Sequence, residues 1–206
     1  MNKNLKFMVE GAITLALTAV LNSIVIFKMP RGGSVSLAGY VPILLFGLRW
    51  GLKPGILIGL MYGILDSLVD PYVIHPIQYL LDYPIAYMAL GLSGLGCNEE
   101  TLSGKINIKM ILACVFAVLM RGVAAILSGY VFFKDTLPKD IPALLGSFLY
   151  NITYIVPNGI IAIVVILILI KPVSKVSKKW LDWFVAPVNC LIGFFLKNIT
   201  KNQILK

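Results

Sequence analysis

Apolar segments close to the length of a membrane-spanning helix recur along this chain and leave few folds open to it. One of them ends in the run from Ile160 to Ile170, which contains no polar side chain. A helix needs about 20 mainly apolar residues to cross the hydrocarbon core of a bilayer. Charged residues make up 13% of the sequence, whereas soluble domains carry about 25%. The sequence therefore predicts an all-α integral membrane protein.

The 206 residues are enough for a single bundle of six membrane-spanning helices. The second of these segments is short and contains Pro42, so we expect it to be kinked or to lie where the bilayer is thinned. The six predicted spans cover approximately residues 7–27, 37–50, 54–69, 77–95, 106–133 and 141–170.

The two ends of the chain carry basic residues beside apolar segments. Lys3 and Lys6 resemble the start of a signal peptide, but no small-residue cleavage site follows, so we predict a retained helix. The basic tail, 171–206, contains Pro187 and only short apolar runs, and we interpret it as an amphipathic helix lying on the membrane. The predicted division is thus a membrane domain, 1–170, and a cytoplasmic or interfacial tail, 171–206.

The distribution of basic residues predicts the orientation of the chain. With six spans, thirteen lysines and arginines fall on the side of both termini and four on the other side. The positive-inside rule then places both termini in the cytoplasm and the protein in the cell membrane. The net charge of +9 accordingly indicates contact with anionic lipid headgroups and not with nucleic acid.

Asp82 is the acidic residue that the sequence places within an apolar span. Tyr79, Tyr83 and Tyr87 recur beside it at every fourth position. A carboxylate within the hydrocarbon costs at least ~2.5–3.5 kcal/mol, so it should face the protein interior and have a partner. An acid among aromatic rings suits a small, flat, cationic or amino-bearing ligand. Pairing of Asp82 with Arg121 for assembly alone is the alternative.

Polar and small residues of four spans fall at one depth in this topology, below the outer surface. The glycine-containing loop 28–36 lies above them, either as a mobile lid or as a tight connection. This convergence predicts a binding pocket. Its residues include Asp66, Asp82, Tyr83, Ala125, Ser128, Gly129, Phe133, Asn151 and Tyr154.

Several other features indicate what the chain does not do or leave two interpretations open. No Ser/His/Asp or Cys/His set and no phosphate-binding loop is visible, so we predict no enzymatic activity and no cofactor. His75, in a loop, is more typical of a solvated or capping residue than of a ligand.

Ala12 and Ala16 lie four residues apart on one helix face, which packs either inside the bundle or against another protein.

Four sequence blocks together resemble a known family. They are residues 32–37 (GGSVSL), 48–51 (LRWG), 75–84 (HPIQYLLDYP) and 89–94 (ALGLSG). They are similar to the thiamine-specific S components of energy-coupling factor (ECF) transporters, the ThiT or YuaJ family. The resemblance covers about residues 7–170 and is strongest over 75–94.

The resemblance implies a six-helix substrate-binding subunit that pairs with a transmembrane coupling protein and two ATPase subunits. Ala12 and Ala16 match the alanine motif that S components present to the coupling protein, which favours an external partner for that face. An acid at the position of Asp82 would bind the aminopyrimidine of thiamine, and the residues matching Tyr83, Gly129 and Asn151 would line the site.

The chain departs from the family at three positions that contact the ligand there. Ala125 stands in place of a histidine, Phe133 in place of a tryptophan and Gly146 in place of a tyrosine. The leading hypothesis is a thiamine-binding subunit. The alternatives are an S component for a related pyrimidine or thiazole precursor or another vitamin, and a stand-alone ion-coupled carrier.

Overall fold

The computed structural model describes residues 2–29, 33–69, 71–133 and 141–203, with side chains described up to residue 174. Eight α-helices and two short strands are observed in these ranges. In chain order they are α1 (Lys3–Ser23), β1 (Val25–Lys28), β2 (Ser34–Ser36), α2 (Val41–Trp50), α3 (Leu52–Val69), α4 (Pro76–Leu80), α5 (Ala86–Leu90), α6 (Glu99–Leu102), α7 (Ile108–Phe132) and α8 (Ala143–Gln203).

Two short strands, β1 and β2, add a small antiparallel sheet to the mostly helical fold, which the all-α prediction did not include. The first helix ends at Ser23, four residues before the predicted end of the first span at residue 27. Val25, Ile26 and Phe27 follow, and β-branched and aromatic residues favour the extended conformation. The two strands pair antiparallel, with a bulge between Val25 and Phe27.

Four helices are long and apolar enough to cross a membrane: Lys3–Ser23, Leu52–Val69, Ile108–Phe132 and the part of α8 from Ala143 to Ser174. They match the predicted spans 1, 3, 5 and 6. The other two predicted spans are less regular, and six crossings therefore remain a prediction.

Helix α2 is a short core helix. It has ten residues and is buried from Val41 to Leu44 and from Phe46 to Leu48. An apolar helix of this length, buried on all sides, is typical of a protein core and not of a full membrane crossing. Pro42 lies in the first turn, where its missing N–H is not needed, so the expected kink is not observed.

The predicted fourth span is a continuous helical segment from Pro76 to Gly96, but its geometry changes three times. A π-helical turn, Leu81–Ile85, separates α4 from α5, and a 3-10 stretch, Gly91–Gly96, follows α5. Pro84 lies inside the π turn. Because proline has no N–H and crowds the preceding turn, it disrupts regular α-helical bonding there. π turns of this kind are frequent at functional sites.

Helix α3 packs directly on this interrupted segment through glycines. Gly55, Gly59 and Gly63 contact the backbone around Gly91, Tyr87 and Tyr83, respectively. A Cβ atom at Gly59 would come within 2.9 Å of the Met88 Cα. The absence of side chains on this face lets the two backbones approach closely, and this contact positions the π turn.

Helix α8 continues past Lys171 as far as Gln203 without a change of helix type. Side chains beyond residue 174 lie outside the described part of the chain, and so does the amphipathic character expected of the tail. The division at residues 170/171 stays a prediction.

An ion pair joins α1 to the end of α2. Arg49 donates to both carboxylate oxygens of Glu10, from Nε at 2.6 Å and from Nη2 at 2.9 Å, and Trp50 Nε1 donates to Oε2 at 2.7 Å. Glu10 is therefore held by hydrogen bonds from both Arg49 and Trp50.

The contact between α3 and the segment 76–96 generates a stability prediction. Replacing Gly59 by Ala should lower the midpoint of thermal unfolding, at a cost of about 1–3 kcal/mol, because the added Cβ would overlap backbone atoms. The matched control is Gly122→Ala in α7, where a Cβ would meet the nearest atom, Ile155 Cγ2, at an ordinary 3.7 Å. Equal melting temperatures for the two purified variants would contradict direct backbone packing.

Candidate functional site

A polar cavity of about 440 Å³ lies between the hairpin, α1, α3, α7, α8 and the segment around the π turn. Its size is in the range of small-molecule sites. The six residues predicted to bind a ligand all line it. They are Asp82, Tyr83, Gly129, Phe133, Asn151 and Tyr154.

The π turn and a neighbouring glutamine orient Asp82. Gln78, one turn earlier, is 1% exposed and donates from Nε2 to Asp82 Oδ2 at 2.6 Å. The same amide group donates to the Tyr72 carbonyl at 3.0 Å and accepts from the Ile74 N–H at 3.1 Å. Gln78 is thus fully engaged, and it holds the carboxylate at one position on the cavity wall. The sequence analysis did not select Gln78, although its i, i+4 spacing from Asp82 was a usable signal.

Asn151 and Tyr154 form the wall contributed by α8. Tyr154 donates its hydroxyl to Asn151 Oδ1 at 2.6 Å, and Asn151 Nδ2 donates to the Ser147 carbonyl at 2.9 Å. Gly129 of α7 lies against this group, because a Cβ there would collide with Ser147 Oγ. The glycine therefore allows α7 and α8 to approach beside the cavity.

Arg121 lies in the cavity wall without forming the ion pair with Asp82 that one sequence interpretation proposed. Its guanidinium lies over the ring of Tyr87 at 4.0 Å and over the ring of Tyr40 at 4.8 Å. Its buried Nη1 has no hydrogen-bond partner among the described residues. The guanidinium thus makes cation–π contacts and no direct salt bridge with Asp82.

A second carboxylate, Asp66, lines the cavity from α3. It accepts hydrogen bonds from Tyr62 at 3.0 Å, Tyr87 at 2.8 Å and Asn22 at 3.3 Å. The sequence placed Asp66 at the depth of the predicted pocket without assigning it a contact to the ligand. Its partners come from three different helices, which the chain order alone does not bring together.

The hairpin covers the cavity and is attached to α8. Asn158 accepts from the Ser36 N–H at 3.0 Å and donates to the Ser34 carbonyl at 2.8 Å. The Gly33 N–H donates to the Tyr150 hydroxyl at 3.2 Å. The described part of the predicted loop 28–36 is therefore a strand pair anchored by buried amides, while residues 30–32 lie outside the described ranges.

Three further residues that the sequence singled out, Phe133, Tyr79 and His75, differ in whether they line the cavity. Phe133 stacks on Tyr72 at a centroid distance of 5.9 Å, and both line the cavity. Tyr79 does not share the cavity face with Tyr83 as its spacing suggested, because it accepts a hydrogen bond from Ser67 at 3.2 Å, away from the cavity lining. His75 caps α4 by accepting from the Ile77 N–H, as expected of a capping residue.

The alanine pair of α1 faces outward. Ala12 and Ala16 are exposed, whereas Gly11, Thr14 and Thr18 form the buried face of the same helix. Packing of this alanine pair inside the bundle, one of the two sequence interpretations, is therefore not observed.

Taken with the apolar helices, the cavity defines a membrane-embedded protein with a small-molecule binding site. The chain matches the family model described as "Thiamine transporter protein (Thia_YuaJ)" over residues 8–178. This chain belongs to that family.

Two relatives agree with this assignment. The chain is 34% identical to the thiamine transporter ThiT of Bacillus subtilis (strain 168) over 187 residues, which is 86% of this chain and 97% of that protein. A solved structure of ThiT from Listeria monocytogenes has the same fold, with a TM-score of 0.73 and 24% sequence identity, over 84% of this chain and 98% of the other.

The attachment of the hairpin generates a prediction for the site. Asn158→Leu removes the acceptor of the Ser36 amide and the donor to Ser34. We expect amide hydrogen exchange over residues 25–36 to become faster, because the strands lose their anchor on α8. Asn98→Ala, which removes a helix cap in the connection before α7, is the control. Unchanged hairpin exchange in Asn158→Leu would show that strand pairing alone holds the hairpin.

Proposed function

We propose that this chain is the substrate-binding membrane subunit of a thiamine importer and that thiamine occupies the cavity. The observation that carries the proposal is the cavity of about 440 Å³ that the six residues selected from the sequence line together. Membership of the thiamine transporter family supports the same ligand. The role is binding and delivery, without chemical conversion of the ligand.

Within this proposal Asp82 binds the aminopyrimidine ring. A carboxylate held by Gln78 has remaining lone pairs for the amino group of the ligand. Tyr83 and Phe133 supply flat apolar surface beside it, and Asn151 and Tyr154 supply polar atoms on the opposite helix. A flat ring bearing an amino group matches an acid flanked by aromatic rings.

A related pyrimidine or thiazole compound is the second candidate ligand. Ala125 lines the cavity at a position where the resemblance implies a histidine. Tyr40 and Tyr62 also line it and add two phenol groups to the cavity wall. Calorimetric titration of the purified protein with thiamine and with its separate pyrimidine and thiazole halves distinguishes these ligands.

The same proposal includes the assembly. Six membrane crossings with both termini in the cytoplasm of a cell-membrane protein would place the cavity in the outer half of the bilayer. The exposed alanine face of α1 would dock on a transmembrane coupling protein that works with two ATPase subunits. Small side chains let a partner helix approach closely, and the outward orientation of Ala12 and Ala16 supports this docking.

Asp82 provides the direct test of the ligand site. Asp82→Asn removes a charge-assisted hydrogen bond, which is worth about 1.5–3 kcal/mol, so thiamine affinity should fall by about 10–150-fold in calorimetric titration. Glu99→Gln, an exposed acid in α6 outside the cavity lining, is the control and should bind as the wild type does. Wild-type affinity in Asp82→Asn would remove this residue from the site.

The alanine face provides a separate test of assembly. Ala12→Trp and Ala16→Trp should abolish thiamine uptake by cells while purified protein still binds thiamine, because a bulky ring blocks helix docking without reaching the cavity. Leu119→Trp, at a position of α7 that is 61% exposed, is the matched control and should leave uptake intact. Normal uptake by both alanine variants would refute docking through this face.

A further inference from the structure

Asp66 is a carboxylate of the cavity wall to which the proposed binding mode gives no role. It lies on α3, across from the π turn that carries Asp82, and both carboxylates line the same cavity. Its hydrogen-bond partners and the nearest basic side chains show whether a cation of the protein already contacts it.

Three side chains hydrogen-bond to the carboxylate of Asp66. Tyr87 donates to Oδ2 at 2.8 Å and itself accepts from Asn22 Nδ2 at 2.9 Å. Tyr62 and Asn22 both donate to Oδ1.

The negative charge of Asp66 is not paired by contact. Among the described residues no lysine or arginine forms a salt bridge with Asp66. The observed ion pair, Arg49 with Glu10, joins α1 to the end of α2 and does not involve Asp66. Arg121 lies over the ring of Tyr87, whose hydroxyl contacts Asp66, so the tyrosine separates the two charges.

The cavity is lined by two carboxylates, Asp66 and Asp82, and by two basic side chains, Arg121 and Lys28. A carboxylate at membrane depth is costly unless a cation comes close to it. Since no base contacts Asp66 directly, a ligand that places a positive charge beside this carboxylate would be favoured.

We propose that Asp66 is a second ligand-recognising carboxylate, which faces the positively charged ring of the ligand while Asp82 binds the amino-bearing ring. This inference rests on the proposed function, because the ligand with these two rings is thiamine. The thiazolium ring carries the permanent charge, and the aminopyrimidine carries the hydrogen-bonding groups. The two acids thus divide the recognition between charge and hydrogen bonding.

The experiment combines two ligands with matched variants. The ligands are thiamine and its neutral isostere, in which carbon replaces the charged ring nitrogen, and binding is measured by calorimetry on the purified full chain. Asp66→Asn should weaken thiamine binding by about tenfold or more, which is well within the attraction of two unit charges close together in a protein. The same variant should change the affinity for the neutral isostere by less than about threefold. Asp82→Asn should weaken both ligands by the same factor, because both contain the aminopyrimidine.

Controls separate charge from folding. Asp66→Glu keeps the charge, so thiamine should stay preferred over the isostere by the wild-type ratio. Thermal unfolding of each variant identifies any that fails to fold, and if Asp66→Asn fails, Asp66→Ser takes its place with the same expected result. Equal weakening of both ligands by the uncharged variant, or loss of the preference in Asp66→Glu, would overturn the inference while leaving the proposed function intact. Absence of thiamine binding by the wild type would overturn both.

Discussion

The contact between the glycine face of α3 and the segment 83–91 is the constraint on which the cavity depends. Gly59 and Gly63 leave no side chain between the two backbones, so the segment lies against α3 at the shortest possible distance. Tyr62 and Asp66, on the same helix, are thereby brought to Tyr87. If a side chain separated the two backbones, α3 would lie too far from Tyr87 to make these contacts.

The second constraint is the cost of polar groups at membrane depth. Every such group must be satisfied inside the protein, and the structure meets this with tyrosines more than with ion pairs. Tyr87 contacts a guanidinium with its ring face and a carboxylate with its hydroxyl, which only an aromatic residue with a polar end can do. Charges of opposite sign therefore lie close together without neutralising each other by direct contact.

The sequence predicted the cavity residues well because depth in a membrane follows from counting residues along each helix. Asp82, Gly129 and Asn151 lie far apart in sequence, yet the assumed topology brought them to one level, and they line one cavity. Depth does not specify which way a side chain points. The rings of Tyr79 and Tyr83 lie against each other at 5.8 Å, as their spacing suggested, but only Tyr83 lines the cavity, and Tyr79 accepts a hydrogen bond from Ser67.

Short segments were predicted less well, for a related reason. The strand pair β1–β2 was not predicted, and its hydrogen bonds to Asn158, more than 100 residues away, cannot be read from the local sequence. Whether helix α2 crosses the membrane stays a prediction, because apolar composition cannot distinguish burial in lipid from burial in protein. Gln78 and Asn22 act through partners that become neighbours only in the folded chain.

The sequence by itself determined the class of multi-pass membrane protein and the positions of the long helices, since these follow from hydrophobicity and length. Only the tertiary structure decided which polar groups meet. It separated Arg121 from Asp82, gathered three donors around Asp66 and turned the Ala12–Ala16 face of α1 outward. These outcomes depend on how helices rotate about their axes as they pack, and side-chain contacts between helices set that rotation.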